Sequence, residues 1–145
     1  MNVDLVEKFE QAVRQDGRYP PEAYGFLQRG LELATRIKYG QSGEVGRQAA
    51  QRGEARHVTG RELCYALRYL AVQTWGALAG EVLRHWHIHR TRDFGEMVYL
   101  MIRLGLMGKQ ESDDISDFDD VYDFAEAFGS YQIRLEGADQ QGSRD

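Results

Sequence analysis

The chain has 145 residues, of which 42% are hydrophobic and 11% aromatic, so its composition excludes a disordered chain and fits one globular domain. Its single cysteine, Cys64, excludes an internal disulfide framework and a cysteine-based zinc knuckle. Residues 1–109 carry 16 Lys and Arg against 12 Asp and Glu, whereas residues 110–145 carry 2 Lys and Arg against 11 Asp and Glu. This division of charge predicts that one part of the molecule contacts a cationic surface, either its own or that of a partner.

The first 40 residues predict two helices. Apolar residues recur at helical spacing from Leu5 to Val13, and Asp16-Gly17-Arg18 is expected to end this helix. Pro20-Pro21 then opens a second helix, because proline fits the first turn, where its missing N–H is not needed. Apolar residues cover this second helix widely, which predicts a central helix packed on more than one side.

A stretch rich in glycine and glutamine follows, and residues 40–56 are predicted to form a flexible surface loop. After it, Thr59 and Glu62 have the spacing of a capping box, in which each side chain bonds to a backbone N–H group. The third helix is expected to continue from this cap to Gly76. A short fourth helix then ends near Trp86.

A fifth helix is predicted to begin at a cap formed by Asp93 and Glu96. Gly105 is expected to end it in the left-handed conformation, with Leu106 folding back toward Met101.

The acidic segment, Glu111 to Glu126, contains eight carboxylates and neither Lys nor Arg. Within it, the stretch from Phe118 to Phe128 is predicted to be a helix that docks on the body of the protein through one apolar stripe. The stripe consists of Phe118, Val121, Tyr122, Ala125 and Phe128.

The predicted fold is predominantly all-α, a single domain of five or six helices over residues 1–136, with a disordered tail over residues 137–145. An alternative left open for one half of it is a winged-helix-like fold, in which residues 106–124 form a small β-hairpin in place of a helix. The order of the fourth helix, a short connector, the fifth helix and a hairpin is that of winged-helix proteins.

Five groups of residues stand out together between residues 16 and 128: Asp16-Gly17-Arg18-Tyr19 with Ala23-Tyr24, His57 to Leu63, His85-Trp86, Asp93-Phe94-Gly95-Glu96, and Tyr122-Asp123-Phe124 with Ala127-Phe128. In combination they resemble a family of small bacterial proteins that has no assigned activity. In that family glycine tends to stand where this chain has His87, and the loop over residues 40–56 varies. The resemblance implies a shared domain and no particular chemistry.

Three histidines at alternate positions, His85, His87 and His89, form a candidate metal site. An extended chain would place all three rings on one side, and three imidazoles can hold zinc. Three arginines surround them and disfavour a dication: Arg84, Arg90 and Arg92. The preferred interpretation is therefore that His85 ends a helix and His87 occupies a helix stop, and no metal or other cofactor is predicted.

No phosphate-binding loop, dinucleotide fingerprint or nucleophile elbow is present, which weakens an enzymatic interpretation. The predicted function is that of a non-enzymatic interaction or regulatory protein with a protein partner, acting through an acidic face and an Arg/His patch. The candidate binding residues are Arg61, Arg84, His85, Arg90, Arg92, Asp119, Asp120 and Asp123.

Two alternatives stay open. One is a winged-helix-like module that associates with nucleic acid or the ribosome, and the other is a metal-dependent enzyme that uses the three histidines. The start of the chain shows no secretory pattern, and the longest apolar run, Met97 to Ile102, is far shorter than the ~20 residues that a membrane span needs. A cytoplasmic protein without membrane contact is therefore expected, with its oligomeric state open.

Overall fold

The computed structural model describes residues 3–40 and 57–129 of the chain, so most of the predicted loop over residues 40–56 and the predicted tail over residues 137–145 lie outside the described part. The α-helices of that part are α1 (Val3–Asp16), α2 (Pro21–Tyr39), α3 (Gly60–Trp75), α4 (Ala79–His85), α5 (Thr91–Arg103) and α6 (residues 124–129). Two short 3-10 helices are Gly76–Leu78 and Ile115–Phe118. The predominantly helical fold is thus confirmed.

The centre of the fold is α2, which packs mainly against α3 and also against α5. Phe26 and Leu27 of α2 are fully buried. The Phe26 ring lies 5.1 Å from the ring of Trp75 and 5.8 Å from that of Trp86, measured between centroids. These contacts join α2 to the end of α3 and to the residue that follows α4. Aromatic pairs at this spacing stabilise the packing beyond the burial of their apolar surface.

The capping box at the start of α3 is confirmed. The side-chain oxygen of Thr59 accepts a hydrogen bond from the backbone N–H of Glu62 at 3.1 Å. The Glu62 carboxylate accepts one in return from the Thr59 N–H at 2.8 Å. This box fixes the direction in which the chain enters α3.

The predicted end of α5 is also confirmed. Gly105 has a φ of 75°, and the N–H of Leu106 donates to the carbonyl oxygen of Met101 at 2.9 Å. This is the Schellman pattern, in which a left-handed residue lets the chain satisfy carbonyls of the last helical turn.

The predicted cap of α5 is wrong, because the N-cap is Arg90 and the helix begins three residues earlier than expected. It starts at Thr91, so Asp93 is its third residue. The Asp93 carboxylate accepts hydrogen bonds from the backbone N–H groups of His89 at 2.8 Å and Arg90 at 3.2 Å. Asp93 therefore serves as the acid of the first turn, where carboxylates bond N–H groups and oppose the positive end of the helix.

The predicted β-hairpin near residues 106–124 is wrong. These residues, all of which the structure describes, contain turns, the 3-10 helix Ile115–Phe118 and the first residue of α6, and none of them is in a strand. Asp114 caps this 3-10 helix by accepting a hydrogen bond from the N–H of Ser116 at 3.1 Å. Aspartate-rich chain favours such local bonds over strand pairing, and the winged-helix interpretation falls with the hairpin.

The predicted helix from Phe118 to Phe128 is wrong in its first half. Residues 119–123 form turns, Asp120 has a left-handed φ of 49°, and the helical segment α6 begins at residue 124. The apolar stripe shifts accordingly, since Ala127 is buried and Ala125 is exposed. The cause lies outside the segment, because the Thr91 side chain of α5 forms hydrogen bonds with the backbone of Phe118 and Val121.

His87 ends α4 in a conformation that suits glycine. Its φ is 65°, and the N–H of Ile88 donates to the carbonyl oxygen of Leu83 at 2.9 Å, again a Schellman pattern.

The His87→Gly variant is expected to raise the free energy of unfolding by about 1 kcal/mol, because a left-handed backbone is strained for a residue that has a Cβ. Urea unfolding followed by circular dichroism measures this. The matched His85→Gly variant changes the last residue of α4 and should lower the free energy of unfolding slightly, because glycine is a poorer helix former. Destabilisation by both variants would contradict the assignment of His87 as the strained position.

No helix within the described ranges has both the length and the apolar content required to cross a bilayer.

Candidate functional site

A charged cleft of about 570 Å³ forms where the α1–α2 connection, the first turns of α5 and the acidic segment meet. Eight residues line it: Arg18, Tyr19, Arg90, Arg92, Asp93, Glu96, Asp119 and Asp120. Four of the predicted site residues therefore share one surface: Arg90, Arg92, Asp119 and Asp120.

One wall of the cleft is fixed by Tyr19 and Asp93. The Tyr19 hydroxyl donates to Oδ1 of Asp93 at 2.6 Å, while the other carboxylate oxygen holds the first turn of α5. Burial, followed by the hydrogen bond to Asp93, raises the pKa of Tyr19 above its usual value. Tyr19 thus stays a neutral donor at physiological pH, and its role is to join the start of α2 to the start of α5.

Arg18, next to Tyr19, adds ion pairs to the contact between the α1–α2 connection and α5. Its Nη2 lies 2.9 Å from Asp16, and its Nη1 lies 3.4 Å from Glu96 of α5. The hydrogen bond from Arg18 holds the pKa of Asp16 below its usual value. These side chains are partly exposed, so each pair contributes only about 0–1 kcal/mol to stability, but together they set the positions of the charges.

Arg92 links the cleft to the acidic segment. Its Nη1 donates to both carboxylate oxygens of Asp119, at 2.9 and 3.2 Å, and its Nε lies 3.9 Å from Glu96. At this point the acidic segment meets an arginine of its own chain.

The acidic segment is anchored by Phe118, which is 4% exposed. Its ring lies against the backbones of Gly60 in α3 and Gly95 in α5. A Cβ atom added at Gly60 would lie 2.9 Å from the ring, and one added at Gly95 would lie 2.8 Å from it. These two glycines, called here the Phe118 socket, allow an approach that a larger residue would block.

Thr91 completes the anchor through the backbone. Its hydroxyl, on a residue that is 1% exposed, donates to the carbonyl oxygen of Phe118 at 2.6 Å and accepts from the N–H of Val121 at 3.1 Å. This pair of bonds draws the chain into a turn after Phe118 and explains why the predicted helix does not start there.

The other predicted binding residues lie outside the cleft. The Arg61 guanidinium stacks 5.5 Å from the ring centroid of Tyr65, and Arg84 lies 3.5 Å from Glu81 on the surface of α4. His85 is exposed at the end of α4. Asp123 accepts a hydrogen bond from the N–H of Glu126 at 3.1 Å, so it caps α6.

The histidine cluster is not assembled as a metal site. The rings of His87 and His89 lie 6.5 Å apart between centroids, at an interplanar angle of 71°. Within residues 3–40 and 57–129 no group of three or more His, Cys, Asp or Glu side chains is placed to hold one ion. Cys64 is fully buried, and burial raises the pKa of its thiol to about 12, which does not suit a nucleophile.

Sequence reasoning missed four of the cleft residues as site residues: Arg18, Tyr19, Asp93 and Glu96. A signal was nevertheless present, because all four belong to two of the motifs that carry the resemblance, Asp16-Gly17-Arg18-Tyr19 and Asp93-Phe94-Gly95-Glu96. The fold brings these two motifs together across 74 residues of chain, through the bond from Tyr19 to Asp93.

Comparison of the chain with family models, curated proteins and solved structures gives no match. The resemblance to small bacterial proteins therefore stays a prediction.

The Tyr19→Phe variant is expected to lower the free energy of unfolding by about 2 kcal/mol, since hydrogen bonds to charged groups contribute about 1.5–3 kcal/mol. A double-mutant cycle with Asp93→Asn, measured by urea unfolding, should return a coupling of about 1 kcal/mol or more between the two side chains. Additive effects would show that the Tyr19–Asp93 bond does not hold α2 to α5.

Proposed function

We propose that the protein is a non-enzymatic interaction protein that acts in the cytoplasm, and that its acidic segment binds a cationic protein surface. The observation that supports this is the anchoring of Phe118 in its socket. A free acidic tail would have to be ordered when a partner binds, whereas an anchored one presents its carboxylates in fixed positions and avoids that entropic cost.

The acidic segment keeps a surplus of negative charge after its internal contacts are made. Among the residues that the structure describes, Asp113 lies 3.1 Å from Nε2 of His57, and Asp119 forms an ion pair with Arg92 at 2.9 Å. Three exposed carboxylates of the segment make neither an ion pair nor a side-chain hydrogen bond with a described residue: Glu111, Asp120 and Glu126. Such a surface attracts a basic partner over distance and selects against acidic ones.

A fluorescent nona-arginine peptide is a suitable probe of this surface. Fluorescence anisotropy with the full chain should show binding that weakens as salt rises from about 50 to 300 mM, because exposed charges are screened over about 10 Å at 0.1 M salt. The triple variant Glu111→Gln, Asp120→Asn, Glu126→Gln should bind about tenfold more weakly, as each of the three exposed charges contributes about half a kcal/mol.

The matched control removes the same number of charges elsewhere on the surface, with Glu7→Gln, Glu22→Gln and Glu32→Gln. These exposed residues lie on α1 and α2, so the net charge changes equally while the acidic segment is untouched. Equal weakening by both triple variants would reduce the effect to net charge and contradict the proposal.

A second candidate function, association with RNA, is favoured by one feature of α3. The guanidinium of Arg61 stacks at 5.5 Å from the ring of Tyr65, and that of Arg68 stacks at 6.0 Å from the ring of Tyr122. Tyr69 on the same helix is exposed. Exposed arginines beside aromatic rings suit single-stranded nucleic acid, whose bases stack and whose phosphates are anionic.

A labelled 20-nucleotide single-stranded RNA of mixed sequence tests this second function by anisotropy. Under it, Arg61→Ala with Arg68→Ala should reduce binding, and the acidic-segment variant should increase binding. RNA binding that neither variant changes would contradict this second function.

The metal-dependent enzyme has no comparable support, because the described residues contain no group of three or more side chains placed to hold a metal ion.

A further inference from the structure

A second cavity, of about 420 Å³, lies between α2, α3 and α5 and the segment that follows α5. Ligand pockets commonly measure roughly 300–1000 Å³, with apolar walls and a few polar groups, and this cavity has that character. Its apolar side chains are Leu31, Val58, Leu63, Val98, Ile102, Leu106, Met107 and Phe118.

The Tyr99 side chain is among those that line the cavity, and its hydroxyl is unusual. The hydroxyl oxygen is buried, yet it forms no hydrogen bond with any group of the residues that the structure describes. Buried hydroxyls are nearly always paired, because an unpaired one loses its hydrogen bond to water without replacing it. A ligand group that donates to or accepts from Tyr99 would remove this deficit.

The charged part of the cavity lining is mainly acidic. Three carboxylates line it, against Lys109 and His57: Asp113, Asp114 and Asp117. His57 already pairs with Asp113 at 3.1 Å. Burial raises the pKa of Tyr99 above its usual value, and the nearby carboxylates raise it further, so the hydroxyl stays neutral.

We propose that this cavity binds a small primary amine with an apolar body. The ammonium group lies beside Asp117 and donates to the Tyr99 hydroxyl oxygen, and the apolar body packs on the walls from α5 and the segment after it. An ammonium has three donors, so it can serve a hydroxyl and a carboxylate at once. An anion would be repelled by the carboxylates, and a neutral alcohol would gain no charge attraction from them. This inference goes beyond the proposed protein interaction and does not depend on it.

Isothermal titration of the full chain with 2-phenylethylamine tests the proposal, with 2-phenylethanol and phenylacetate as neutral and anionic analogues of similar size. The amine should bind about tenfold or more tightly than the alcohol, and phenylacetate should not bind at all. Equal affinities for the three compounds, or no heat from the amine up to about 10 mM, would overturn the proposal, since millimolar affinity is the weak end of specific binding.

Two conservative variants test separately the Tyr99 hydroxyl and the Asp117 charge in the cavity. Tyr99→Phe keeps the ring and removes the unpaired hydroxyl, so it should weaken amine binding about fivefold while the melting temperature stays the same or rises. Asp117→Asn keeps a hydrogen-bond acceptor and removes the charge, and it should weaken the amine more than the alcohol. Tyr69→Phe, at an exposed position on α3 outside the cavity, is the control. Amine binding that neither Tyr99→Phe nor Asp117→Asn weakens would place the amine elsewhere and refute this site.

Discussion

The Phe118→Ala variant is expected to lower the free energy of unfolding by about 4 kcal/mol. Truncating a fully buried phenylalanine costs about 3–5 kcal/mol, because the transfer free energy of the ring is lost and a cavity remains. Phe118 is 4% exposed and fills the socket formed by Gly60 and Gly95, so little collapse of the surroundings is available. Urea unfolding followed by circular dichroism measures the change.

The contact between Phe118 and its socket can also be tested by substituting one of the socket glycines. In the parent chain, Gly95→Ala should cost about 1–3 kcal/mol, because its Cβ would lie 2.8 Å from Phe118 and overpack the contact. In the Phe118→Ala background the same change should stabilise by about 1 kcal/mol, since alanine favours a helix over glycine. The same sign in both backgrounds would show that the ring does not lie on Gly95.

The Thr91→Val variant is expected to lower the free energy of unfolding by about 3 kcal/mol, although it changes the shape of the side chain very little. It leaves the carbonyl of Phe118 and the N–H of Val121 without the hydroxyl that bonds both. Each buried polar group left without a partner costs about 1–3 kcal/mol. Differential scanning calorimetry, with the same heating rate for parent and variant, gives the comparison.

Thr91→Ser is the control for that variant, because it keeps the hydroxyl and removes only a methyl group. Its cost should stay near 1 kcal/mol. If serine were as destabilising as valine, the loss would come from packing at Thr91 and not from its two hydrogen bonds.

The helices of the body could be predicted because their signals are local. The capping box of Thr59 and Glu62 and the glycine stop at Gly105 each lie within a few residues of the bonds they make. Hydrogen bonds of this range depend little on the rest of the fold, so spacing alone identified them.

The acidic segment could not be predicted in the same way. Its apolar residues were recognised, and Phe118 and Val121 are indeed buried. The turn between them, however, is imposed by Thr91, which lies 27 residues before Phe118 and 30 residues before Val121. A helical period read from the segment alone contains no information about such a partner, and tertiary contacts override a short periodic pattern.

The candidate site was predicted in part for a similar reason. Charge composition identified Arg90, Arg92, Asp119 and Asp120 as binding candidates, but it gave equal weight to Arg61 and Arg84, which the fold places elsewhere. Composition states how many charges a chain carries, whereas the cleft depends on which helix surfaces meet.

The Phe118 socket also bears on the order in which the molecule folds. Its two glycines come from α3 and α5, 35 positions apart in the sequence, so the socket exists only once those helices have met. Docking of the acidic segment should therefore follow the folding transition state, and substitutions at Phe118 should accelerate unfolding while leaving the folding rate nearly unchanged. Detachment of this segment would then be an early step in unfolding, and it would release the carboxylates while the helical body is still intact.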